Sequence, residues 1–403
     1  MKRILFVDDE PNVLQGLQRM LRPLRNEWDT AYAGNGQEAL SLLAQSPFDV
    51  VVSDMRMPGI DGAQLLNEVM KRYPHMVRIV LSGHSDQQSI LRSVGAAHQY
   101  LSKPCDADTL KNTVARACGL RELLADKTLT ELVAQMNSLP SLPSLYVEVM
   151  QELQSPDGSL QKVGQIISKD VGMSAKILQL VNSAFFGLRR HVSSPSEAAV
   201  FLGVDTVRAL VLSVNIFSQF DRTGVRGFSI EALWTHSSIT GALAKQIAKA
   251  EGAESKTVDY AFMAGLLHDA GRLVLAANLP AQYSETLFWM RAQKVPLSDA
   301  ERERFGTTHA EVGAYLLGLW GLPDPIVEAI AYHHRPDQCL ERTFSPLTAV
   351  HVANALEREG RAQDADEIAS QVNVDYLADV GLTNRLEAWR DICRTALQEG
   401  EKK

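Results

Sequence analysis

Carboxylate, hydroxyl and ammonium side chains recur at set places in the first part of this chain. Asp8 and Asp9 follow the apolar run Ile4–Val7, Asp54 follows Val50–Ser53, Ser82 closes the run that starts at Val77, and Lys103 follows Gln99–Leu101. Carboxylates brought together repel one another unless a hard divalent cation sits among them, and oxygen ligands suit Mg²⁺. A hydroxyl and an ammonium beside that cation complete a cradle for a phosphoryl group, with one carboxylate as nucleophile. A single acid at the end of an apolar run is ordinarily a loop residue; matched chemical types at successive run ends are harder to dismiss. The second part of the chain carries a different set: His236, the adjacent His268 and Asp269 in LLHDAGRL, His309, His333 and His334. Imidazoles and a carboxylate can hold a transition metal and activate water. The same residues can also be hydrogen-bonded core packing.

The elements that must position these residues differ between the two parts. Up to about residue 118 the runs Ile4–Val7, Val50–Ser53, Val77–Ser82 and Gln99–Leu101, with a weaker one at Trp28–Ala33, alternate with helical patterns such as Asn12–Leu21 and Gly36–Ala44. That alternation predicts an α/β doubly wound fold, a parallel five-stranded sheet with helices on both faces. Its functional edge lies beyond the carboxyl ends of the strands, where the acids, Ser82 and Lys103 fall. From about residue 139 strand signals give way to long helical patterns, and the expectation is an all-α domain. Ser229 is a cap candidate, and THAEVGAYLLGLWGLP opens with a Thr308–Glu311 capping box. His236 falls at helical spacing from Leu233, Thr240 and Leu243, and so points inward. His333 extends the Ile326–Ile330 face, His334 lies on the neighbouring face, and His351 and Asn354 share the Leu347–Val350 face. Between the parts, Asp106–Met136 reads as one stiff helix until NSLPSLPS breaks it, with Leu120, Leu123, Leu124 and Val133 as an apolar stripe. Such a stripe is expected to pack against a second protomer or against the helical domain. The expected division is therefore 1–118, a helical linker 119–138, a helical domain 139–335 and a C-terminal helical extension 336–403.

Bulk properties exclude several classes. The 403 residues suffice for two or three domains, each with its own core. A formal net charge of −8 argues against broad nucleic-acid binding, which needs a basic face. Cys105, Cys118, Cys339 and Cys393 form no CxxC pair, which suits free thiols in a reducing compartment. The N-terminal apolar run is too short for a signal sequence, and no segment approaches the ~18 apolar residues of a membrane span. The expected location is the cytoplasm.

VDDE, VVSDMRMPGIDG, LSG and YLSKP closely resemble the response-regulator receiver domain over essentially the whole first part. The resemblance implies a flavodoxin-like fold and Asp54 as acceptor of phosphate from a sensor histidine kinase. It implies Mg²⁺ on Asp9, Asp54 and the Arg56 carbonyl, with Asp8 in support. It further implies Ser82 and Tyr100 as the switch pair and Lys103 on the phosphoryl oxygens.

The order His, His-Asp, His, His-His, final acid resembles that of HD-superfamily phosphohydrolases, which hold Fe, Mn or another divalent metal. Asn354 stands where the resemblance expects the final aspartate, and a neutral amide is a much weaker ligand. No Gly-Tyr-Pro segment follows YHHRPDQ, although the cyclic-di-nucleotide phosphodiesterases carry one. LPSLPSLYVEVMQEL, ISKDVGMSAKILQLVNSAFFG, SPSEAAVFLGVDTVRALVLS and HAEVGAYLLGLWGLPDPIVEAIAYHH instead resemble the HDOD output domain, over residues 139–335. That branch implies relatives of HD hydrolases that serve signalling rather than catalysis. The sequence thus favours a response regulator with a non-catalytic HDOD output that acts on a downstream signalling protein. The alternative is a phosphorylation-controlled, metal-dependent phosphodiesterase acting on a cyclic dinucleotide or another phosphoester.

Overall fold

A computed structural model describes residues 1–82, 96–103, 105–119, 158–182, 192–203, 225–339, 341–360 and 371–400, together with 133, 140–141, 148–149, 152–153, 207 and 218–219. In chain order the first part contains β1 (Lys2–Val7), α1 (Pro11–Leu21), β2 (Trp28–Ala33), α2 (Gly36–Gln45), β3 (Val50–Asp54) and α3 (Gly62–Arg72). It continues with β4 (Val77–Ser82), β5 (Gln99–Ser102) and α4 (Ala107–Gly119). The strands pair in parallel in the order β2-β1-β3-β4-β5. This order reverses between β1 and β3, the crevice where a doubly wound sheet binds its ligand. Local signals agree with it. Pro11 sits in the first turn of α1, Asn35 accepts from Glu38 N at 2.9 Å at the start of α2, and Asp61 and Gln64 form a capping box on α3.

The strands are apolar on both sides, as a covered parallel sheet requires. Leu5, Val7, Val51 and Val80 face Leu43, Leu66 and Val69 of α2 and α3. Alternate residues Ile4, Phe6, Val52 and Ile79 face Leu17 and Leu21 of α1 and Leu110 and Val114 of α4.

The second part contains α5 (Leu160–Ile167), α6 (Val171–Val181), α7 (Pro195–Leu202), α8 (Ile230–Ala250), α9 (Ser255–Leu267) and α10 (Ala270–Asn278). Then follow α11 (Pro280–Gln293), α12 (Leu297–Phe305), α13 (His309–Leu319), α14 (Asp324–Tyr332), α15 (Pro346–Gly360), α16 (Val374–Asp379) and α17 (Leu386–Gly400). It is not purely helical: Pro140–Ser141 and Ser218–Gln219 pair as a parallel two-residue ladder. Two residues are too few for an alternating apolar pattern, so nothing in the sequence announces them.

One further expectation changes. The two parts do not have separate cores, because α4 lies against α13 and the apolar cluster behind the sheet continues into the helical part. Residues beyond 335 pack into the helical part. α15 packs on α8, α9 and α14, and α17 buries Trp389 completely, with its indole Nε1 donating to Glu251 Oε1 at 2.9 Å. The helix expected to run to Met136 is described as far as Gly119; Leu120, Leu123 and Leu124 lie outside the described residues, and Val133 is buried. None of the described helices is long and apolar enough to cross a membrane.

Candidate functional site

Parallel pairing brings the ends of β1, β3 and β5 to one edge, and with them Asp8, Asp54 and Lys103. Asp8 and Asp54 are almost fully buried, 2% and 7% exposed. The Lys103 ammonium donates to Asp8 Oδ2 at 2.6 Å and to Asp54 Oδ1. Asp54 Oδ2 accepts from the Arg56 amide at 2.6 Å, and Asp8 Oδ1 accepts from the Glu10 amide at 3.0 Å. Burial raises the Asp54 pKa, and the nearby Asp8 charge adds to the rise, against the opposing pull of Lys103 and the Arg56 amide. Burial works against a charge on Lys103 as well, but its bonds to Asp54 and Asp8 outweigh it and raise its pKa. Asp9 and Arg56 are exposed at the rim of the same edge. Ser82 and Tyr100 lie in β4 and β5 by backbone; their side chains lie outside the described residues. Gly62 admits no side chain, since a Cβ there would stand 2.1 Å from the Asp54 carbonyl oxygen. That close approach seats the start of α3 against the end of β3. Two buried carboxylates and an exposed third make an oxygen-donor set that fits Mg²⁺, with the Lys103 ammonium beside it.

The histidines converge in the helical part. His236 from α8, His268 and Asp269 between α9 and α10, His309 at the first position of α13, and His333 and His334 just after α14 gather into two adjoining ligand groups that share Asp269. His333 and His334 do not take neighbouring helix faces, because α14 ends at Tyr332 and the turn aims both rings inward.

The outward nitrogens are committed. His268 Nδ1 donates to Gly265 O at 2.7 Å and His333 Nδ1 to Ile330 O at 2.8 Å. His236 Nδ1 meets Glu357 Oε2 at 2.6 Å, and His309 Nδ1 meets Glu301 Oε2 at 2.6 Å. Orienting an imidazole through its second nitrogen is how proteins prepare metal ligands. The Nε2 atoms then point at one another: His236 to His268 at 3.2 Å and His309 to His334 at 3.0 Å. Two nitrogens at right angles on one ion, each ~2.1 Å away, stand about 3.0 Å apart. His333 Nε2 is buried without a hydrogen-bond partner among the described residues. Burial pushes the His268 pKa down to about 4 and holds His333 and His334 well below the usual range, which keeps these rings neutral. Burial opposes a charge on His309 too, yet Glu301 and Asp269 on either side raise it to about 9.

Asp269 is two-faced. Its Oδ1 lies 3.1 Å from His309 Nε2, 3.5 Å from His268 Nε2 and 3.8 Å from His333 Nε2. Its Oδ2 lies 3.1 Å from the Arg272 guanidinium, 3.8 Å from that of Arg358 and 3.9 Å from His236 Nε2. Asn354 is buried beside this cationic side, its Oδ1 accepting from Arg358 Nε at 3.4 Å. His351 is no part of the centre: its Nδ1 donates to His333 O and its Nε2 accepts from the Asn373 amide. Sequence reasoning missed Glu301, Glu357, Arg272 and Arg358. Glu357 had a signal, one turn beyond Asn354 on the same face, and so did Arg272, one turn beyond Asp269. Glu301 had none, since it reaches the centre from a separate helix.

Fold and site together define a phosphoacceptor-type α/β domain joined to a helical domain with a histidine–aspartate centre. Residues 4–115 match the response regulator receiver domain and residues 139–336 match the HDOD domain; the chain belongs to the response regulators that join the two. An uncharacterized protein of Treponema pallidum is 28% identical, over 61% of this chain and 48% of its own length. The hydrogenase transcriptional regulatory protein HoxA of Cupriavidus necator is 30% identical, over 49% of this chain and 44% of its own. The chain thus spans about half the length of these curated relatives. Among solved structures, the MmoQ response regulator of Methylococcus capsulatus is 26% identical, with a TM-score of 0.47 over 63% of this chain and 98% of that one.

Proposed function

We propose that the protein works in the cytoplasm as a response regulator. Asp54 takes phosphate from a sensor histidine kinase, and the helical domain relays the signal to a downstream protein without hydrolysing a nucleotide. The observation that carries the first half is the half-buried Lys103 ammonium shared by Asp8 and Asp54 at the carboxyl edge of the sheet. An Asp54 oxygen attacks phosphorus as the donor's P–N bond breaks, and Lys103 is placed to leave its bond to Asp54 and meet a phosphoryl oxygen. Asp8, Asp9, Asp54 and the Arg56 carbonyl would hold Mg²⁺, which neutralises the phosphoryl oxygens when bound.

The convergent imidazoles support a metal-binding output domain. Asp269 Oδ1 with His309, His333 and His334 makes the richer ligand set for a divalent transition metal. A second ion beside His236 and His268 meets the Arg272 and Arg358 guanidiniums, and Asn354 adds no negative charge to offset them. That asymmetry favours a non-catalytic centre over a phosphodiesterase.

Metal analysis of protein purified without chelators is expected to give stoichiometric transition metal, lost in Asp269→Ala. Glu357→Gln, which keeps the shape but weakens the hold on His236, is expected to change that content little. His309 depends on Glu301 in the same way, so Glu301→Gln is expected to cost about 10–100-fold in affinity. Metal-free wild type would remove the metal reading. Cyclic-dinucleotide turnover that disappears in both His268→Ala and Asp269→Ala would establish the phosphodiesterase instead.

A further inference from the structure

The helix that presents His309 also touches the receiver domain, at its opposite end. Gln99, the first residue of β5, donates through Nε2 to the Gly318 carbonyl in the last turn of α13, at 3.4 Å. Just beyond that turn Gly321, with φ +80°, leaves room for the same side chain: a Cβ there would stand 3.6 Å from the Gln99 carboxamide carbon. Beside Gln99, Arg78 of β4 is buried at 1% exposure, donating to the carbonyls of Ala96, Met76 and Pro74. Tyr315, from the middle of α13, is wholly buried, with its phenol close to that guanidinium. The α4 helix completes the seam against α13. The seam is therefore built from the strand that leads directly into Lys103, four residues beyond Gln99 in the chain.

Along its length α13 has the construction of a lever. Its first turn is fixed by the Thr308–Glu311 capping box, and the His309 amide and ring both bind Glu301. At mid-length it crosses α10 with backbones almost touching, a Cβ on Gly313 falling 3.0 Å from the Gly271 nitrogen. A Cβ on Gly271 would stand 1.9 Å from the His309 carbonyl oxygen, so the crossing holds His309 itself and Gly318 lies beyond it. A short helix bends little over such a span, so displacement at the seam reappears at His309.

We propose that phosphorylation of Asp54 is read by the histidine–aspartate centre through α13, with Gln99 and β5 as the input and the crossing of Gly271 on His309 and Gly313 as the contact that receives it. The proposal rests on Asp54 being the phosphoacceptor. Each site then biases the same two positions of one helix, so effects at either end are reciprocal.

The test is hydrogen exchange on the full chain, with and without beryllofluoride and Mg²⁺, with bound beryllofluoride measured by fluorine NMR. Amides of residues 312–322 are expected to change exchange rate by about fivefold or more in the wild type. The change should be lost, with beryllofluoride still bound, in Gln99→Ala and reduced in Tyr315→Phe, which preserves the packing. No change in the wild type with Asp54 occupied overturns the proposal, and so does an undiminished change in both variants. Absence of bound beryllofluoride would refute the phosphoacceptor reading itself and the proposal with it. Metal content is recorded on the same samples; a metal-free protein that still shows the α13 response leaves the lever standing and removes only the metal reading.

Discussion

Asp54→Asn is expected to abolish labelling by a small phosphodonor with Mg²⁺ while leaving the fold intact. An amide oxygen at this position is no nucleophile, so the acyl phosphate cannot form. The effect on stability has the opposite sense. Burial and the Asp8 charge raise the Asp54 pKa, so an ionised Asp54 costs the folded state something at neutral pH. A raised carboxyl pKa means stability is lost as pH climbs through the carboxylate range, and asparagine removes that loss. The Tm of Asp54→Asn at pH 7 is therefore expected to equal or exceed that of wild type. Comparable phosphate incorporation in wild type and variant would show that the acceptor lies elsewhere.

Gly271→Ala is expected to be the most damaging single methyl group in the helical domain. A Cβ at this position would fall 1.9 Å from the His309 carbonyl oxygen and 2.8 Å from the Gly313 nitrogen. Both are backbone atoms, so no rotamer change relieves the clash, and α10 and α13 must separate. The cost should reach about 3 kcal/mol or more, at the upper end of overpacking penalties. The separation also draws His309 away from Asp269, so bound metal should fall along with Tm. Gly16→Ala provides the contrast. That glycine lies within α1 with nothing inside 4 Å of the added carbon, and the substitution should stabilise by about 0.5–1 kcal/mol. Chemical denaturation of the two variants decides the matter: equal stabilities would mean that the α10–α13 crossing is looser than its geometry requires.

What the sequence alone determined about this protein is its local grammar. Apolar runs at regular intervals made the sheet, because burial on both faces demands continuous Val, Ile and Leu. Chain order then put Asp8, Asp54 and Lys103 at strand ends, and a parallel sheet has only one carboxyl edge to bring them to. The histidine order was equally visible, as were the Ser229 and Thr308 caps, because each depends on residues within a turn or two of one another. The tertiary structure decided the rest. Whether His268 and Asp269 form a centre depended on Glu357, 121 residues from the His236 it orients, and on Glu301 from a neighbouring helix. The character of Asp269 depended on which of its oxygens faced imidazoles and which faced guanidiniums, a matter of helix packing. The joining of the two cores, and the reach of Gln99 to Gly318 across 219 positions, have no local signature at all. Hydrophobic periodicity tells which face of an element is buried, but burial has no direction, and only the packed chain settles what each face is buried against.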